Sequence, residues 1–265
     1  MVLPSDVDRV CSRFIELLDE AAPGLLTGLH LHGSLTFGEY HPGRSDVDAV
    51  AVLAHRPADD ELSVLRDAHA TLAAESTSVG GPVFDAAHLV ATDLAGAPDD
   101  CPDVPTTLEH VFAVNRAGIN PVTWHELAER GISVRGQLPQ VWTDAAVLRA
   151  FTRRNLDEYW ASRIELVRTY PDAGADPKLV SWFVLGVPRL HHLLATGAMT
   201  SKDGAGRFAL ATYDERWHPL VHTALGYRAT GVDPDPPAEP AARGKAVVAF
   251  VEEALTAARS SAPIA

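Results

Sequence analysis

Two aspartates separated by one residue, Asp46 and Asp48, open an otherwise apolar run in the segment LHLHGSLTFGEYHPGRSDVDAVAVL, Leu29–Leu53. On a β-strand alternate residues share a face, so the two carboxylates point the same way, about 7 Å apart along the chain. Carboxylates that close raise each other's pKa unless a cation compensates them. Hard oxygen ligands at a strand edge suit Mg²⁺, which keeps some of its waters and also binds substrate phosphates. Upstream, Gly33 and Ser34 stand where the preceding apolar segment ends. Glycine lets the backbone approach a phosphate, and the hydroxyls of Ser34 and Ser45, with exposed N–H groups, can cradle it. A phosphate cradle beside a metal dyad fits phosphoryl or nucleotidyl transfer.

The tetrapeptide SDVD also occurs at Ser5–Asp8, so the letters alone are not the signal. That first copy opens a helical pattern (Val7, Val10, Phe14, Leu17, Leu18). There Ser5 is expected as N-cap, and Asp6 and Asp8 complement the helix dipole. The second copy precedes a strand pattern and calls for a third carboxylate on a neighbouring strand. Asp85 and Asp93 in PVFDAAHLVATDL share parity but lie about 26 Å apart on a continuous strand, so only one can join the dyad. Asp85 lies inside the apolar run, a costly place for a carboxylate without a task, whereas Asp93 at its end can cap a turn. Asp85 is therefore the expected third metal ligand.

The elements that must position these residues read as follows. Leu25–His32 is a strand, Gly33–Arg44 a loop, Asp46–Ala54 a strand, Pro57–Glu75 a helix and Pro82–Ala91 a third strand. The segment 97–105, APDDCPDVP, is a proline- and aspartate-rich break that reads as a linker. Thr106–Arg130 reads as two short helices around Asn120-Pro121. Helices are then expected over Asp144–Tyr170, Asp176–Thr196, Ser201–Ala211, Asp214–Arg228 and Ala238–Ala258. The outline is an α/β domain over 1–140 and an all-helical domain over 141–265, with the boundary somewhere between 98 and 145.

Composition bounds the rest. The chain has 265 residues, 46% hydrophobic and 22% charged, with a formal net charge of −13. Such a surface repels nucleic acid and anionic lipid and attracts a small cation, although acidity also serves solubility alone. Cys11 and Cys101 form no Cys-x-x-Cys pattern, so neither a disulfide framework nor a zinc site is expected. The first residues show no basic segment followed by an apolar one, and no apolar run is long enough for a membrane span, so a cytoplasmic protein is expected.

Several other residues have plainer readings. His191-His192 are adjacent on a helix and point about 100° apart, so they do not share an ion. His125-Glu126 lacks the second histidine of His-Glu-x-x-His and is set aside. His30 and His32 share a strand face; ordinary strand polarity accounts for them, although His32 abuts Gly33. Asp157, Glu158, Trp160, Asp172 and Asp176 read either as an acidic cleft for a cation or as a solvated helix face.

The order Gly-Ser, short loop, Ser-Asp-x-Asp, apolar strand resembles the nucleotidyltransferases related to DNA polymerase β. Within them, HGSLTFGEYHPGRSDVDAVAVL is most similar to the aminoglycoside adenylyltransferases that modify streptomycin and spectinomycin. The stretches PRLHHLLATGAMTSKDGAGRFAL and INPVTWHELAERGISVRG resemble that family's helical half and its inter-domain segment. The resemblance implies a nucleotidyltransferase domain with a mixed β-sheet followed by a helical bundle, with the active site in the cleft between them. Gly33, Ser34 and Ser45 would hold the ATP phosphates, and Asp46 and Asp48 would bind Mg²⁺. Asp85 would be the catalytic base, where the family often has glutamate. Lys202, with Arg189 as second candidate, would reach the phosphates, and Tyr227 would lie against adenine. The expected activity is transfer of AMP from ATP to a hydroxyl of a small cationic acceptor, an aminoglycoside or aminocyclitol. The alternative is a nucleotide-binding or regulatory protein that kept the fold without turnover. The expected partners are ATP and the acceptor, with no nucleic acid and no membrane, and the chain working as a monomer or weak homodimer.

Overall fold

The structure, a computed structural model, describes residues 2–261. The chain forms two compact units that divide between Asp144 and Ala145.

The first unit is built on a six-stranded mixed sheet in the order β5-β4-β3-β2-β1-β6. Helix α1 (Ser5–Ala21) precedes β1 (Leu26–Leu31) and buries Val7, Val10, Phe14 and Leu18 at helical spacing. Ser5 is its first helical residue and not its cap. Asp6 instead accepts the Val7 N–H at 3.0 Å and the Tyr40 hydroxyl at 2.7 Å. A 3-10 turn, Gly33–Phe37, leads to β2 (Val47–Leu53), so Asp46 stands just before the strand and Asp48 within it. Helix α2 (Asp59–Val79) then returns the chain to β3 (Phe84–Val90), which pairs parallel with β2, as a helical crossover allows. Its first turn carries Asp59, Asp60 and Glu61 at the positive end of the helix dipole.

After a short helix α3 (Ala91–Leu94) the structure departs from the sequence reading. The segment 97–105 is no linker: it leads into β4 (Val104–Leu108) within the same unit. The first of the two helices expected in Thr106–Arg130 is replaced by a hairpin of β4 with β5 (Val111–Asn115). Helix α4 (Pro121–Arg130) and β6 (Ile132–Arg135) complete the unit. Helices α1 and α2 cover one face of the sheet, packing Phe14, Leu65 and Leu72 on Leu29, Ala49 and Phe84. On the other face α4 packs Trp124 and Leu127 against Val50, Val52, Ala87 and Leu89.

The second unit is all helical. Helix α5 (Ala145–Arg154) passes through a π-helical turn, Asn155–Trp160, into α6 (Ala161–Thr169). Helices α7 (Pro177–Thr196), α8 (Lys202–Thr212), α9 (His218–Thr230) and α10 (Pro240–Arg259) follow. Helix α7 is buried along most of its length, and a Cβ at its Gly186 would stand 2.2 Å from the Trp160 ring. Among the described residues no helix is long and apolar enough to cross a membrane.

Candidate active site

The acidic residues meet at one end of the sheet. Because β2 and β3 run parallel, Asp48 and Asp85 face each other in register. Val50 and Val52 share parity with Asp48, and Ala87 and Leu89 share it with Asp85, and these residues pack on the α4 side. Both carboxylates therefore belong to that face. Asp46 is exposed, Asp48 half-buried and Asp85 buried.

Asp85 is the perturbed group. Burial pushes its carboxyl up, the N–H that Glu109 donates at 2.9 Å pulls it down, and the charges of Asp46, Asp48 and Glu109 push it up again, to about 7. A carboxyl at that value is divided between acid and base at neutral pH, as a general base requires. The charges of Asp46 and Asp48 both act on it. Asp93 does what its position at the end of the run implied: it accepts the Val90 N–H at 2.9 Å and pairs with Arg56.

The turn between β1 and β2 is organised around Asp48. The His32 N–H donates to the Asp48 carbonyl at 3.0 Å. Gly33 has φ +67°, and a Cβ there would lie 2.0 Å from Asp48 Oδ2. Only glycine lets the aspartate side chain lie against this backbone. The Gly33 N–H, expected to serve a phosphate, is donated to Glu126 Oε2 at 3.1 Å. Ser34 follows in the 3-10 turn, and its carbonyl accepts the Glu39 N–H at 3.1 Å. Ser45 is buried and closes the loop on His41, accepting the His41 N–H at 3.1 Å and donating its own N–H to the His41 carbonyl at 2.9 Å. That contact orders the entry to Asp46.

Three participants were not legible as such in the sequence. Glu126, set aside as half a zinc motif, is buried and touches both His32 and Gly33. Burial pulls the His32 imidazole down, but the Glu126 hydrogen bond and the charges of Asp48 and Glu126 outweigh it and leave it raised. Glu109 belongs to the hairpin that was read as a helix. Tyr40, tied to Asp6, is near enough to Asp46 for that charge to help keep its phenol protonated, after burial and the Asp6 contact.

The donor set at this end, oxygen ligands alone, suits a hard divalent cation, and a cation would offset the charges that push Asp85 up. Among the described residues, however, no three His, Cys, Asp or Glu side chains are gathered into a closed ligand group. The acids fit such an ion in chemistry and charge, without being drawn together around one.

Arg189, Lys202 and Tyr227 lie in the helical unit, on α7, α8 and α9. Ser201 caps α8 by accepting the Gly204 N–H at 2.8 Å, which makes Lys202 the first helical residue. The next residue, Asp203, pairs with Arg228 at 2.6 Å in a largely buried contact. This pair joins α8 to α9 beside Lys202 and Tyr227. Of the acids read as a possible cleft, two are engaged elsewhere: Asp157 in the π-helical turn pairs with Arg259 at 2.7 Å, and Asp176 caps α7 at the Lys178 N–H, 2.8 Å away. His191 contacts the Tyr213 hydroxyl inside the core and His192 the Ala198 carbonyl, so the two imidazoles serve different partners.

No protein-family profile and no curated protein sequence matches the chain. Among solved structures, the fold is similar to that of the spectinomycin adenyltransferase AAD(9) from Enterococcus faecialis, crystallised with ATP and spectinomycin. The TM-score is 0.66 at 13% identity, over 92% of this chain and 98% of that one. The likeness establishes a nucleotidyltransferase-like fold, a mixed sheet followed by a helical region.

Proposed function

We propose that this protein transfers AMP from ATP to a hydroxyl group of a small cationic acceptor of the aminoglycoside or aminocyclitol class. The observation that carries the reading is Asp85: buried, in register with Asp48 across two parallel strands, and raised to about 7 in company with Asp46 and Asp48. The likeness of fold to an adenyltransferase crystallised with ATP and spectinomycin makes acceptors of that class the first to test. The net charge of −13 favours a cation.

Asp85 would take the proton of the acceptor hydroxyl. The freed oxygen attacks the α-phosphorus of ATP, the bond to the β-phosphate oxygen breaks, and pyrophosphate leaves. The turn at Gly33 and Ser34, with Ser45 ordering the loop behind it, would meet the phosphates. Because the Gly33 N–H already serves Glu126, its part is to let Asp48 and the backbone pack closely. Lys202 and Arg189 would neutralise phosphate charge, and Tyr227 would lie against adenine. Asp46 and Asp48, with Asp85 beside them, would hold Mg²⁺, which when bound supplies charge compensation for the triphosphate. Catalysis on this reading is mostly positioning and electrostatics.

The test is mass spectrometry of a panel of aminoglycosides and aminocyclitols after incubation with the protein, ATP and Mg²⁺. A gain of one adenylyl group on any acceptor supports the reading. ATP binding without turnover on any acceptor favours a nucleotide-binding protein that does not catalyse.

A further inference from the structure

Glu126 belongs to α4, a helix fixed independently of the turn it touches. Asn120 caps it, its side-chain oxygen accepting the Val122 and Thr123 N–H groups at 2.9 and 3.2 Å, and Pro121 presets its first turn. Trp124, fully buried, donates its indole N–H to the Gly96 carbonyl at 3.1 Å. Arg130 lies over the Phe37 ring at 4.9 Å and adds a second contact from the same helix to the far end of the 3-10 turn. The Glu126 carboxylate is thus delivered to Gly33 and His32 by a rigid support, at 3.1 and 3.3 Å.

A buried carboxylate is costly unless it is hydrogen-bonded and its charge is met. Here one oxygen takes the Gly33 N–H and the neighbouring imidazole of His32. Without an acceptor, the Gly33 N–H would lose its partner and the turn could rotate away from Asp48. The two residues that Glu126 contacts pack directly on Asp48.

We infer that Glu126 is a positioning residue for nucleotide binding: through its hydrogen bond to the Gly33 N–H it fixes the turn that faces the ATP β- and γ-phosphates against Asp48. The inference rests on the nucleotide reading above and extends it to a residue that touches no reacting atom.

Calorimetric titration of MgATP and of AMP into the full-length protein and its variants tests this without any knowledge of the acceptor. Glu126→Ala should weaken MgATP about tenfold and leave AMP unchanged, because only the triphosphate depends on the turn. Glu126→Gln keeps an acceptor for the Gly33 N–H and should stay within about threefold of wild type. If Glu126→Ala does not fold, Glu126→Asp, whose carboxylate is withdrawn by one methylene, takes its place with the same expectation. Equal losses for ATP and AMP would mean general loosening and overturn the inference. So would wild-type ATP affinity in the Ala or Asp variant, or a Gln variant as weak as Ala. Wild-type protein that binds no MgATP overturns the nucleotide reading itself, and this inference with it.

Discussion

Asp85 and His88 stand three residues apart on β3 and face opposite sides of the sheet. Asp85 shares its side with Ala87 and Leu89 under α4, whereas His88 shares its side with Phe84 and Ala86 under α1 and α2. Both are buried, and burial moves each toward its neutral form: the carboxyl rises to about 7, the imidazole falls to about 4. The physics is the same, yet the two sites differ in what surrounds the group. His88 is enclosed. Its Nδ1 faces the Pro105 carbonyl at 2.9 Å, which only accepts, so Nδ1 carries the proton and Nε2 a lone pair. His69 Nε2, 3.1 Å away, must then donate to it, and the rings of Phe14, Phe84 and Phe112 close around the pair. Asp85 stands near the start of its strand among acids of graded exposure, with the Glu109 N–H ready to receive its charge. Desolvation alone makes a group neutral and inert. Desolvation beside a hydrogen-bond donor and neighbouring acids makes a group that can change its charge at neutral pH.

The largest expected effect tests that difference directly. Asp85→Asn keeps an oxygen for the Glu109 N–H but cannot take a proton. On an acceptor that is adenylylated, kcat should fall about 10²- to 10⁴-fold while ATP binding is retained. In wild type, kcat/KM should rise with pH as Asp85 loses its proton, at a pH below the metal-free value of about 7 because the bound cation offsets the charges that push it up. An Asn variant with full turnover would remove Asp85 from the chemistry and leave the contrast with His88 a matter of packing alone.

The enclosed pair should show itself in stability. Its folded pKa values are depressed, so below 6.5 the unfolded chain binds protons that the native His69 and His88 refuse. Stability is fully present above 6.5 and is lost as pH falls toward about 4, by about 3 kcal/mol for His88. Urea titrations from pH 7 to pH 4.5, followed by hydrogen exchange at the β3 amides, measure this. His69→Phe combined with His88→Leu should flatten the acid slope; an unchanged slope would assign it to other groups.

These sites also mark how far the sequence could be read. Strands β1, β2 and β3 and every helix from α5 onward were visible because apolar residues recur at periods of two or 3.6 over long stretches. The acids of β2 and β3 were visible because a carboxylate in an apolar run is costly. The β4–β5 hairpin was not. Its strands are short, Pro105 interrupts the first, and the turn between them, Glu109-His110, has neither Asn nor Gly to announce it. Glu126 was hidden for another reason: its partners His32 and Gly33 lie far away in sequence, and nothing local to α4 reveals that a turn from another element comes to rest on it. Packing across the sheet decided both.

A smaller effect follows from the raised carboxyl. The unfolded chain releases the Asp85 proton near 3.8, whereas the native protein keeps it until about 7. The raised value therefore lowers stability progressively as pH rises between those two values, and the full cost is present above about 7. In the absence of divalent cations, Asp85→Asn should be more stable than wild type at pH 8 and no more stable near pH 3.5. This sign is opposite to that of the histidine pair on the other face of the strand. Denaturation of both proteins at the two pH values, in chelator, shows whether the two faces respond in opposite directions.

The smallest effect concerns the hairpin that delivers the Glu109 N–H to Asp85. Leu108 pairs with Val111, leaving a two-residue turn in which Glu109 and His110 have φ of +49° and +68°, the only non-glycine residues with positive φ among those described. Such a turn favours Asn-Gly, and a side chain at each position costs about 1 kcal/mol. The double replacement Glu109→Asn, His110→Gly should therefore raise stability by about 1 kcal/mol net of the added freedom of glycine in the unfolded chain. The backbone N–H that Asp85 accepts is kept, but the Glu109 charge that helps raise Asp85 is lost. The acid limb of turnover should move to lower pH, while His110→Gly alone should stabilise without moving it. If the double variant leaves the limb in place, burial and Asp46 and Asp48 account for the base by themselves, and the hairpin serves Asp85 only through its N–H.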